Sequence, residues 1–220
     1  MSGSSEDEGM HALIHYDNVR VPAENLMGGE GEAFVIAQTR LGGGRVHHSM
    51  RAVATCQRAL DLLCERVLSR QTQGGLLARK QFIQGDIADS YAELQQFRLL
   101  VLYTAWEIDQ FKDYRRTRKN IAAIKALTPK VAHDAVWRSM HAHGALGVSN
   151  EMPFGSMWMM APIMSVVDGP TEVHKVTVAR EVLKGYQPAP GLWPTAHLPA
   201  QREAAREKLA AHLEHVLGNS

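Results

Sequence analysis

The 220-residue sequence is short of cysteine, of net charge and of long apolar runs. Each shortage excludes something. The two cysteines, Cys56 and Cys64, stand eight residues apart inside one apolar-periodic segment. That is two helical turns, too far for a disulfide within a helix. They read as small core residues of a protein in a reducing compartment, and the cytoplasm is the expected location. The 24 Lys and Arg nearly balance the 23 Asp and Glu, for a net charge of +1. That balance argues against nucleic acid or an anionic membrane surface as the partner. No apolar run approaches the roughly 20 residues of a membrane span. The N-terminal MSGSSEDEG lacks the apolar core of a signal peptide and reads as a disordered acidic leader over residues 1–10.

Hydrophobic periodicity carries most of what is there. Residues 11–22, HALIHYDNVRVP, alternate weakly and read as a strand with no partner in the chain. A Gly-rich turn, ENLMGGEGEAF, leads into a short helix from Ala33 to Arg40, which LGGGR is expected to interrupt. From Arg45, apolar residues Val46, Met50, Val53, Leu60, Cys64 and Val67 form one helical stripe, ended by Gly74 and Gly75. A second long helix is expected over Leu77–Lys112. A third covers Ile121–His143, with a kink at Pro129. Short helices follow over FGSMWMMAPIMSVV and over Pro170–Lys184. The fold class is therefore all-α: an antiparallel four-helix bundle over 29–186, with an N-terminal β-strand stub over 11–28. A linker and an extra C-terminal helix occupy 187–220.

Chemistry-bearing residues are sparse. Asp168 precedes Gly169 and Pro170 at the start of a helix, where an acid interacts favourably with the helix dipole as a cap. His47 and His48 are adjacent, so they face different sides of a helix and form no i,i+4 metal pair; no metal site is expected. The basic run Arg115–Lys119 reads as a solvated loop or a contact to an anionic partner. MWMM at 157–160 reads as core.

Five stretches, in order, resemble the C-terminal part of the acyl-CoA dehydrogenase family: YDNVRVPAENLMGGEGEAF, LGGGRVHHSMR, SRQTQG with Gln81, HGALG, and DGPTEVHKVTVARE. Together they span most of residues 11–186. The resemblance implies α,β-dehydrogenation of an acyl-CoA thioester with FAD. A carboxylate takes the α-proton while a hydride leaves the β-carbon. The base position falls on Asp168, where most members have Glu; Asp-Gly-Pro here stands for Glu-Gly-Thr. The second family position for a base, beside Arg45, is Gly44, which cannot serve. Arg45 is implied as a substrate contact. Arg70 and Thr72 match residues that contact the FAD diphosphate across a dimer interface, and Gln81 one at the adenosine end. His141, Gly144 and Gly147 fall in a turn beside the adenine-side phosphate. Gln73 replaces an aromatic residue, and Pro170, Thr171 and Glu172 replace Thr-Ser-Gln, leaving Thr171 to supply the hydroxyl.

The family's N-terminal helical domain and β-domain have no counterpart in this sequence. The chain is thus expected to be incomplete as an enzyme, either a C-terminal fragment or one part of a split enzyme whose companion chain supplies the remainder. A homodimer or tetramer through the bundle is expected. The implied electron acceptor is an electron-transfer flavoprotein or a similar carrier. Two other readings stay open: a non-catalytic helical subunit or scaffold, favoured by Gln73 and Pro170, and an acyl-CoA oxidase.

Overall fold

A computed structural model describes residues 12–217. The acidic leader lies outside the described residues. Six helices carry the fold among those described: α1 (Ala33–Ser69), α2 (Gln81–Phe111), α3 (Arg118–His143), α4 (Phe154–Val166), α5 (Thr171–Leu183) and α6 (Leu198–Leu217). A two-residue ladder, β1 (Gln71–Thr72) against β2 (Gly75–Leu76), closes the turn between α1 and α2.

Helices α1 to α4 share one core. Ala52, Cys56, Leu63 and Val67 of α1 meet Leu94, Phe97 and Val101 of α2, Ile124 and Val136 of α3, and Phe154 and Met157 of α4. Burying each large aliphatic or aromatic side chain contributes about 1.5–3 kcal/mol before entropy is set against it. Burial pushes the Cys56 thiol up to about 12, so it acts as a small apolar core group rather than a nucleophile. Polar cross-links set the helix directions. Arg98 donates to Gln57 at 2.7 Å, and Asn120 to Glu107 at 2.6 Å. Arg138 grips Glu93 with two N–H groups at 2.8 and 3.2 Å. Late α1 therefore lies beside early α2, and late α2 beside early α3, an antiparallel bundle in which α1 and α3 run the same way.

Two compact units emerge, one through Glu181 and one from Val182. The second contains α6, a helix whose described side chains are exposed. No described helix is long and apolar enough to cross a membrane.

Two expectations need correction. Residues 12–22 form no ladder; they are exposed, with Leu13, Ile14, Tyr16, Val19 and Val21 uncovered. A strand's N–H and C=O groups require a neighbouring strand, and none is present among the described residues. The LGGGR segment does not interrupt a helix either: α1 is continuous from Ala33. Its glycines permit close approach instead. A Cβ on Gly42 would stand 2.8 Å from the Tyr114 ring, and one on Gly44 would stand 3.0 Å from Oδ2 of Asp168. The helix accepts the cost of glycine, about 1 kcal/mol each relative to alanine, and neighbouring groups pack onto its backbone.

Gly147 is tighter still, since a Cβ there would lie 2.2 Å from the Met140 carbonyl oxygen. By contrast, Gly85 in exposed α2 has nothing within 4 Å. Urea unfolding should therefore show Gly147→Ala destabilised by about 1–3 kcal/mol or more and Gly85→Ala stabilised by about 0.5–1 kcal/mol. Equal effects at the two positions would contradict this packing.

Candidate functional site

Helix α4 stops at Val166 and α5 starts at Thr171. The hinge between them turns through Asp168 at φ 56° and Gly169 at φ 108°. Asp tolerates the left-handed region better than most side chains, and Gly169 is in a region that disfavours any side chain. The N–H of His174 donates to the Pro170 carbonyl at 3.3 Å, opening the hydrogen-bond ladder of α5. The cap position thus falls on Pro170, and Asp168 turns back toward α1.

Three side chains receive it. Arg45 Nε donates to the Asp168 carbonyl at 3.0 Å, and His174 Nε2 donates to the same oxygen at 3.2 Å. His48 Nε2 lies 3.2 Å from Oδ2 of the carboxylate. Gly44, one turn before His48, leaves the carboxylate its room. Beneath the hinge, the fully buried Lys125 of α3 donates Nζ to the Met164 carbonyl in the last turn of α4.

Burial dominates the electrostatics. It lowers the His48 and Lys125 pKa values against the opposing pull of the Asp168 carboxylate. Burial also lowers His174, although its bond to the Asp168 carbonyl works the other way. Arg45 is lowered by burial too, with Asp168 opposing. Burial thus holds both histidines toward the neutral form, and His174 donates through Nε2–H to the Asp168 carbonyl.

Asp168 stands at the edge of a cleft of about 930 Å³. Phe34, Val35 and Leu41 of α1 make an apolar wall; Lys112, Arg115 and Arg118 bring positive charge from the α2–α3 connection; Arg45, Gly169 and His174 complete it. The arrangement can hold a carboxylate, with a free oxygen, beside an elongated ligand that is part apolar and part anionic.

The other expected site residues divide by position. Thr171 is half-buried beside the hinge and donates Oγ1 to the Ser165 carbonyl at 3.5 Å. Arg70, Thr72, Gln81, His141 and Gly144 lie at the far end, where α1 and α3 finish and α2 begins. Arg45 and Arg70 are separated by roughly 35 Å of helix at 1.5 Å per residue. At that end Arg70, Gln81 and His141 are exposed. His141 stacks on Trp137, with ring centroids 6.2 Å apart. Gly144 has φ 62° and open space around its Cα, whereas Gly147 is filled by the Met140 carbonyl. Thr72 donates its hydroxyl to the Gly75 carbonyl at 3.0 Å. The Gln73 carbonyl accepts from Lys80 Nζ at 2.7 Å.

His48, His174 and Lys125 were not singled out as site residues by sequence reasoning. One signal existed for His48: positions 44, 45 and 48 fall on one helical face, so whatever faces Arg45 also faces His48. Lys125, inside the apolar run IAAIKAL, gave only the sign of a charge where the pattern calls for core. His174 carried no pattern of its own.

Residues 31–183 match the acyl-CoA dehydrogenase C-terminal domain. "Probable acyl-CoA dehydrogenase FadE2" of Mycobacterium tuberculosis is 45% identical over 178 residues, 81% of this chain and 44% of that protein. Acyl-CoA dehydrogenase family member 11 of Gallus gallus is 39% identical over 175 residues, 80% of this chain and 22% of that protein. The structure of butyryl-CoA dehydrogenase from Megasphaera elsdenii superposes with a TM-score of 0.71 at 28% identity, covering 76% of this chain and 43% of that one. The chain thus spans less than half the length of these relatives.

A histidine held below its usual 6.5 in the folded state binds fewer protons there than when unfolded. Its contribution to stability is complete above 6.5 and is lost as pH falls through the lowered value. The denaturation midpoint should therefore fall between pH 7 and pH 5. His174→Gln keeps an N–H donor but does not titrate, and should flatten that fall. Identical slopes for the variant and the native chain would refute the assignment.

Proposed function

The chain belongs to the acyl-CoA dehydrogenase family, and from that premise we propose that Asp168 removes the α-proton of an acyl-CoA thioester. The observation that carries the reading is the seat of Asp168. Asp168 lines a cleft, its backbone is held by Arg45 and His174, and the neighbouring Gly44 offers no rival acid. An α-proton is weakly acidic, so its base must be held close and partly shielded from water. The Asp168 side chain is 14% exposed. The apolar wall of Phe34, Val35 and Leu41 suits an acyl or pantetheine chain, and Arg118 and Arg115 suit anionic groups of the coenzyme. Arg45 contributes by fixing the hinge, as well as by lining the cleft.

FAD, when bound, supplies the hydride acceptor. The far end of the bundle fits part of such a group. Arg70 presents an exposed guanidinium, Gln81 an exposed amide, and Gly144 backbone with open space for a phosphate. Thr72 fits less well, because its O–H is engaged within the β1–β2 turn. The length of α1 between Arg45, which holds Asp168, and Arg70 supports a composite arrangement, in which each cofactor is held by the hinge end of one protomer and the far end of another. A homodimer or tetramer follows, with the remaining binding surface supplied outside these residues. An electron-transfer flavoprotein or similar carrier is the proposed electron acceptor, and the cytoplasm the proposed location.

In the holoenzyme, Asp168→Asn should lower turnover by about 10²–10⁴-fold, the usual contribution of a general base, while flavin absorbance is retained. Turnover within tenfold of native would reject Asp168 as the base. Light scattering of the purified chain should give a dimer or tetramer mass; a clean monomer would reject the composite arrangement.

A further inference from the structure

We propose that His48 is the positioning residue of Asp168, donating a neutral Nε2–H to one carboxylate oxygen so that the other faces the substrate. This rests on the reading of Asp168 as the base. Asp is one methylene shorter than Glu, and it sits here on a hinge turned into the left-handed region. Backbone contacts from Arg45 and His174 hold the hinge carbonyl but leave the side-chain torsions free. Among the described residues, the one side chain paired with the carboxylate is His48, whose Nε2 lies 3.2 Å from Oδ2. Oδ1 makes no hydrogen bond to the described residues.

His48 suits this task because of where it stands. It belongs to α1, a 37-residue helix packed against the core from Val46 to Val67, and it precedes the fully buried Ser49, so its own position is well determined. Gly44, one turn earlier, removes the side chain that would otherwise push the carboxylate away. The protonation state is set by the other ring nitrogen. Nδ1 is buried and has no hydrogen-bond partner. A proton there would be a donor with nothing to receive it. Burial, the largest influence on the ring, disfavours the imidazolium; Asp168, the strongest charged neighbour, favours it, and Arg51 and His47 on α1 and Lys125 on α3 oppose Asp168. A neutral donor orients the carboxylate without neutralising it, which an imidazolium would do.

The test separates position from fold. In the holoenzyme, His48→Ala should lower kcat by about 10–100-fold with KM changed less than about threefold, the range expected when a reacting group is misplaced by about 1 Å. His48→Gln places an amide N–H near the position of Nε2 and should recover most of the loss. Both variants should keep flavin absorbance. Native-like kcat in His48→Ala would overturn the proposal, as would His48→Gln no faster than His48→Ala. Should the alanine variant not fold, long-range ¹H–¹⁵N correlation on the native chain decides. Nε2–H with bare Nδ1 at pH 7 is expected, and an Nδ1–H tautomer or an imidazolium would overturn the proposal. Full turnover by Asp168→Asn would remove the base reading itself. A dead Asp168→Asn beside a native-like His48→Ala would remove only the role of His48.

Discussion

The hydrogen bond from Arg45 to the Asp168 carbonyl joins the longest helix of the chain to its most sharply turned hinge. Most of the site depends on that join. It is the contact by which α1 fixes the backbone of a residue 123 positions later in the chain. With it, the hinge takes up a left-handed turn that an unsupported Asp would rarely hold. The turn brings the carboxylate to Gly44 and His48, and His174 closes the same carbonyl from the other side. Lys125 secures the preceding turn of α4 from below. Strain of this kind persists where surrounding contacts over-determine the backbone, and three elements converge here.

The bundle separates two tasks by distance. Asp168, the proposed base, sits toward the end where α1 and α3 begin, and the expected diphosphate and adenosine contacts sit where those helices finish. A single straight helix of such length cannot bring its own two ends to one cofactor. The association between copies proposed above would bring the two together.

Much of the fold was legible because helix burial follows a simple period. The stripe of Val46, Val53, Leu60, Cys64 and Val67 and the positions of the long helices came directly from it, while Met50 of the same stripe is exposed. What was misread depended on contacts distant in sequence. LGGGR resembled a helix breaker because the cost of glycine is local, while the Tyr114 ring and the Asp168 carboxylate that occupy the vacated space come from elsewhere. Residues 12–22 carried strand-like alternation, but alternation does not supply the partner that a strand requires. At the site, Asp168 and Arg45 were visible through motif order. His48 was set aside because two adjacent histidines were weighed for metal binding and not for what they face. Asp168 as a helix cap was the simpler sequence reading, and the positive φ at 168 and 169 turned the side chain away from that role.

The most direct measurement of the central claim is a crystal structure of the flavin-loaded enzyme with an acyl-CoA analogue bound. The account predicts the free carboxylate oxygen of Asp168 about 3–3.5 Å from the α-carbon, with Oδ2 still on His48. An α-carbon more than roughly 5 Å from Asp168, or within reach of a different carboxylate, would contradict it.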